Sequence, residues 1–155
     1  MCTRVLWNDN GLTVVVGRSM DWPTSTDPIL TVLPRGLAHD GGLIGPSRIV
    51  DENPLTWTST YGSLVTTVYG VGAADGLNER PYVDLGIYNT EYRTVCDLTN
   101  LRHFFELTTS PNVIWEDLHE LDFAVGASVR TLGPDDIALS GEVSASFREV
   151  ASAPY

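Results

Sequence analysis

Apolar and polar residues change places along this chain in short runs of strand length. Residues 3–7 and 12–17 are rich in Thr, Val, Leu and Trp, and Asn8-Asp9-Asn10-Gly11 between them has the turn chemistry of a β-hairpin. The second run, Leu12-Thr13-Val14-Val15-Val16, does not alternate cleanly, which suits a strand covered on both faces, as when two sheets stack. More strand-like runs follow at Ile29 to Leu33, Leu55 to Thr60, Leu64 to Tyr69, Tyr92 to Leu98, Leu101 to Leu107 and Val113 to Trp115, separated by Gly, Pro, Asn and Asp. Gly36 to Asp51, punctuated by glycines and a proline, reads as a long surface loop. Helical signals are sparse: Pro111 to Leu118 predicts at most a turn and Pro134 to Ile137 a short helix start. The polar tail from Ser140 to Tyr155 is expected to be loosely held.

Size and charge narrow the picture. With 155 residues, 43% of them hydrophobic, the chain suffices for one domain with a modest core, so residues 1–155 are read as a single domain. The formal charge of -11 repels phosphate backbones and anionic lipid surfaces, which argues against nucleic-acid and membrane partners. No apolar run approaches the roughly 18 residues of a membrane span. Asn8, Asp9 and Asn10 interrupt the apolar stretch that a secretory leader needs, so a cytoplasmic location is expected. Cys2 and Cys96 sit in no CxxC pair, and His39, His103 and His119 are too scattered for a ligand set, so neither a metal nor any other cofactor is expected.

Candidate chemistry gathers at the chain terminus. If the hairpin closes around Asn8 to Gly11, antiparallel pairing brings Gly17 and Arg18 back beside Thr3 and Cys2, with Met20, Asp21 and Trp22 just beyond. Removal of Met1 would leave an α-amine on the residue that carries the thiol. With reference pKa values of about 8 for the amine and about 8.5 for the thiol, one residue can serve as general base and nucleophile. Arg18 would favour the thiolate by Coulomb attraction, and Asp21 could accept hydrogen bonds from the ammonium. On spacing alone a plainer reading stands beside this one, with Cys2 a small residue of a first strand, Arg18 a solvated charge and Asp21 a turn residue.

The opening Met1-Cys2-Thr3-Arg4, followed by Gly17-Arg18-Ser19-Met20-Asp21-Trp22, resembles the start of the choloylglycine hydrolase and penicillin V acylase family. Leu33-Pro34-Arg35-Gly36, Trp57 to Gly62, Asp75-Gly76-Leu77-Asn78-Glu79, Asp97 to Asn100 and Ser110 to Trp115 extend the resemblance in family order. It implies an N-terminal-nucleophile hydrolase with Cys2 as nucleophile, Arg18 and Asp21 beside it, and Tyr88 as an oxyanion donor. The implied fold class is α+β, a strand-rich, truncated form of the four-layer αββα architecture. After Tyr88 the sequence passes almost directly into Glu91 to Cys96, which resembles the family's late strands, so the resemblance also implies an internal deletion near residues 88–91.

Two functions follow. One is a hydrolase of a linear carbon–nitrogen amide in a small molecule, such as a bile-salt conjugate, penicillin V or another N-acyl compound. The other is a catalytically inactive remnant or β-rich interaction module of the same family. A sheet face left bare by the deletion would expose apolar surface, which leaves association into a homo-oligomer open.

Overall fold

The structure, a computed structural model, describes residues 2–75, 90–110 and 112–151. Its strands in chain order are β1 (Arg4–Trp7), β2 (Val15–Asp21), β3 (Ile29–Leu33), β4 (Ala38–Asp40), β5 (Leu43–Ile44), β6 (Ser47–Arg48), β7 (Thr56–Thr58) and β8 (Ser63–Val68), then β9 (Gly72–Asp75), β10 (Thr90–Asp97), β11 (Arg102–Leu107), β12 (Val113–Asp117), β13 (Arg130–Leu132), β14 (Gly141–Glu142) and β15 (Arg148–Glu149). Single 3-10 turns at Leu118–Glu120 and Ser144–Ser146 are the helical elements among the described residues. The strand-rich expectation therefore holds, while the helical layers of an αββα arrangement have no counterpart among those residues.

The chain gathers into two compact units. The first comprises Met1–Ser25, Asn78–Leu121 and Pro134–Ser146, the second Thr26–Leu77, Asp122–Gly133 and Phe147–Tyr155. The first is built on a six-stranded sheet in the order β1-β2-β10-β11-β12-β14, antiparallel except for the β12–β14 pair. Because side chains alternate across a strand, the register sorts this sheet into two faces. One carries Met20, Tyr92, Thr94, Phe105, Ile114 and Glu116, all buried, with Tyr92 and Phe105 stacked at 5.2 Å. The other is wet: Arg93 pairs with Glu106 at 2.9 Å and Arg102 with Asp117 at 3.4 Å, among the exposed apolar residues Val5, Trp7, Val95 and Val113.

The predicted hairpin is present, with β1 at an edge of the sheet, but the connection runs from Asn8 to Val14 instead of a tight turn. Side chains decide that loop. Asn10 Oδ1 accepts the amides of Leu12 and Thr13 at 2.7 and 2.9 Å, shaping the turn locally. The Thr13 hydroxyl then donates to Asp97 Oδ1 at 2.7 Å, and Val14 N–H to the Thr99 hydroxyl at 2.9 Å, which ties the loop to the β10–β11 turn. The Asn100 side chain, the Thr13 hydroxyl and the amides of Asn100 and Thr99 hold the Asp97 carboxyl down at about 2.

The second unit has a five-stranded sheet in the order β15-β13-β3-β8-β9. β3 lies between β13 and β8, and its Leu30, Thr31 and Val32 are fully buried, which explains why Ile29 to Leu33 reads as a strand-like run without clean alternation. Residues 36–51, expected to be a loop, instead contain β4, β5 and β6. Strands of two or three residues leave no periodicity to read. They are held by β4–β7 pairing, with His39 stacked on Trp57 at 4.9 Å, and by Asp40, which accepts from Gly42 N–H at 2.8 Å and from Arg48 at 2.9 Å. Those two contacts, the Gly42 amide first, lower the Asp40 carboxyl below its usual range. Gly42 has no room for a side chain, since a Cβ would lie 2.8 Å from Pro54 Cβ and 2.9 Å from Val50 O.

Two other sequence expectations change. Pro134 to Ile137 forms turns rather than a helix start. The tail is anchored as far as Glu149: β14 lies beside β12, β15 pairs with β13, and Val143, Ser144 and Phe147 are buried. Its few apolar residues are isolated in sequence, so only their long-range neighbours mark them as core.

Candidate active site at the chain terminus

The β1–β2 register pairs Arg4 with Arg18 and Val5 with Gly17. One step outward, Ser19 N–H donates to Thr3 O at 2.9 Å, so the chain direction carries Cys2 to the level of Met20. The side chains bear this out: Cys2 Sγ is 3.8 Å from Met20 Sδ and 4.0 Å from the backbone carbonyl oxygen of Asp21. Cys2 is exposed, whereas Met20 and Asp21 are each 8% exposed, so an accessible thiol stands on a buried floor. Packing against the polarisable thioether confines the rotation of the thiol.

Alternation along β2 puts Arg18 and Met20 on one face, and β10 flanks them on the other side through Thr94 and Tyr92. Arg18 is thus a half-buried residue on the face that carries the thiol's contact, at the diagonal spacing of roughly 7–8 Å between strand neighbours. Asp21 ends β2 in register with Thr90, just past a shift in the β2–β10 pairing. The structure therefore brings Cys2 against Met20 and the Asp21 main chain, with Arg18 on the same face. Tyr88 lies outside the described residues, as does Asn78.

Sequence reasoning missed Ser19. Its hydroxyl accepts the Thr3 N–H at 3.1 Å, one residue from Cys2, and nothing in a lone serine at a strand position announces that. It also assigned no role to His103, whose Nδ1 lies 2.9 Å from Glu116 Oε2 on the buried face of the same sheet. Only the β11–β12 register puts those two side by side. Among the described residues no group of three or more His, Cys, Asp and Glu side chains could hold a metal ion, and no helix is long and apolar enough to cross a membrane.

The hairpin that carries this site lies within the stretch that known proteins share. The chain is 39% identical over 66 residues to a penicillin V acylase of Pectobacterium atrosepticum, a match that covers 40% of this chain and spans only 18% of the relative's length. The solved structure of penicillin V acylase from Agrobacterium tumefaciens superposes with a TM-score of 0.81 over 97% of this chain and 98% of that chain, at 16% identity, a likeness of fold. The family described as linear amide C-N hydrolases, choloylglycine hydrolase family, matches residues 2–88, more than half of the sequence. On that match, which contains the thiol, its buried floor and both strands of the hairpin, the chain belongs to the choloylglycine hydrolase family of linear amide C–N hydrolases.

Proposed function

We propose that this protein is an amidase that opens a linear carbon–nitrogen amide bond with Cys2 as its nucleophile, once Met1 has been removed. The observation that carries the reading is the exposed Cys2 thiol seated on Met20 and Asp21, at the open end of a hairpin within the family-matched stretch. In this mechanism the α-amine of Cys2 takes the thiol proton as the sulfur attacks the amide carbon. The resulting ammonium returns that proton to the departing amine as the C–N bond breaks, leaving an acyl thioester. Water, deprotonated by the same amine, then releases the acid and restores the thiol. Arg18 lends positive charge on the nucleophile's face, Asp21 orients the amine, and Tyr88 is the proposed donor to the tetrahedral oxyanion. Penicillin V, glycine-conjugated bile acids and other N-acyl compounds are the proposed substrates, each an amide beside an apolar acyl group.

The test uses intact mass to establish loss of Met1, then compares parent and Cys2→Ala on penicillin V and on a glycine-conjugated bile acid. Turnover by the parent that disappears in Cys2→Ala is the expected result. An alanine variant as fast as the parent, or full activity in protein that keeps Met1, overturns the mechanism. A second reading, an inactive β-rich interaction module, is favoured by one fact: the shared stretch spans 18% of the curated relative. That reading expects no turnover and a Cys2 thiol no more reactive toward alkylating agents than Cys96.

A further inference from the structure

We propose that Ser19 is the positioning residue of the nucleophile, holding the Cys2–Thr3 peptide so that the amine and thiol of Cys2 stay over Met20; this rests on the amidase reading above. Ser19 and Thr3 face each other across the hairpin, and Ser19 N–H donates to Thr3 O at 2.9 Å. In a regular antiparallel pair the return bond would run from Thr3 N–H to the Ser19 carbonyl. Here Thr3 N–H donates to the Ser19 hydroxyl instead, at 3.1 Å. The ladder therefore ends on a side chain, one residue before the nucleophile.

That N–H belongs to the Cys2–Thr3 peptide, whose six atoms are coplanar and include Cys2 Cα. Clamping it fixes the plane from which the reacting residue hangs. What remains is the Cys2 ψ rotation, which swings amine and thiol together, and χ1, which sets one against the other. The 3.8 Å contact of Sγ with Met20 Sδ and the 4.0 Å contact with Asp21 O restrict both. Alternation also directs Ser19 to the sheet face opposite Arg18 and Met20. The clamp thus grips the peptide from the face opposite Arg18 and Met20.

Ser19→Ala removes the acceptor, and Ser19→Thr keeps it. Parent and both variants are compared for turnover of penicillin V, with kcat and KM separated, and for the rate of Cys2 alkylation by iodoacetamide against pH, read by mass spectrometry with Cys96 as internal reference. Ser19→Ala is expected to lower kcat about tenfold with KM little changed, a smaller loss than the roughly hundredfold that a 1 Å misplacement of a reacting group can cost. It is also expected to alter the pH profile of Cys2 alkylation while leaving that of Cys96 alone, and Ser19→Thr to recover the parent values. Parent-like kcat and Cys2 alkylation in Ser19→Ala would overturn the positioning role. Cys2→Ala serves as the separate control: if it turns over substrate like the parent, the amidase reading fails, and the alkylation profile alone still decides whether Ser19 positions Cys2.

Discussion

The pair His103–Glu116 offers the most demanding test of the first unit's packing. Glu116 is fully buried, its Oε2 is 2.9 Å from His103 Nδ1, and its Oε1 meets no hydrogen-bond partner among the described residues. The carboxylate thus depends on one neighbour. His103→Leu leaves it buried with none, the situation in which breaking a buried pair costs about 3–5 kcal/mol. Glu116→Leu strands only an imidazole N–H at a site where His103 keeps 11% side-chain exposure, a loss of about 1–3 kcal/mol. Replacing both by leucine removes the polar demand from a face already lined by Phe105 and Ile114, so the double variant should fall within about 1 kcal/mol of the parent or exceed it. The two single losses would then fail to add by several kcal/mol. Urea unfolding of the four proteins at one pH, with linear extrapolation, measures the cycle. A His103→Leu loss below about 1 kcal/mol, or a double variant as unstable as the sum of the singles, refutes the account of a carboxylate sustained by one partner.

Three further outcomes follow from single positions. At Gly62 an added Cβ would stand 2.5 Å from Phe123 Cβ and Cδ1, so Gly62→Ala should destabilise by at least 1–3 kcal/mol, roughly the usual loss on overpacking, as a lower urea midpoint. Tyr69 and Gly70, at φ 54 and 62, form a hairpin turn closed by Val71 N–H donating to Val68 O at 3.1 Å; Tyr69→Asn, a residue suited to that left-handed position, should stabilise by about 1 kcal/mol and raise Tm by a few degrees. The Asp97 carboxyl is lowered from 3.8 to about 2, so its stabilising effect is complete above pH 3.8 and is lost as pH falls through 2. Asp97→Asn should therefore melt below the parent at neutral pH, with the gap closing between pH 4 and 2; a gap constant across that range contradicts the assignment.

Much of the sheet architecture could be read from residue order. Ile29 to Leu33 is the strand its strand-like run predicts, and the hairpin, β8, β10, β11 and β12 fall within a few residues of their expected places. These segments declare themselves because their propensity and turn chemistry are local. The opening residues Cys2, Arg18 and Asp21 were likewise legible as candidate chemistry, since hairpin closure alone returns residue 18 to the neighbourhood of residue 2. Tertiary structure decided the rest. β4, β5 and β6 are too short to carry a period and exist through Asp40, Arg48 and the crowded Gly42. The stretch from Gly141 to Glu149 is polar in sequence but is held by β12 and β13, more than ten residues away along the chain. Ser19 and the pair His103–Glu116 acquire their partners only through register, because a shift of one residue would send each side chain to the opposite face.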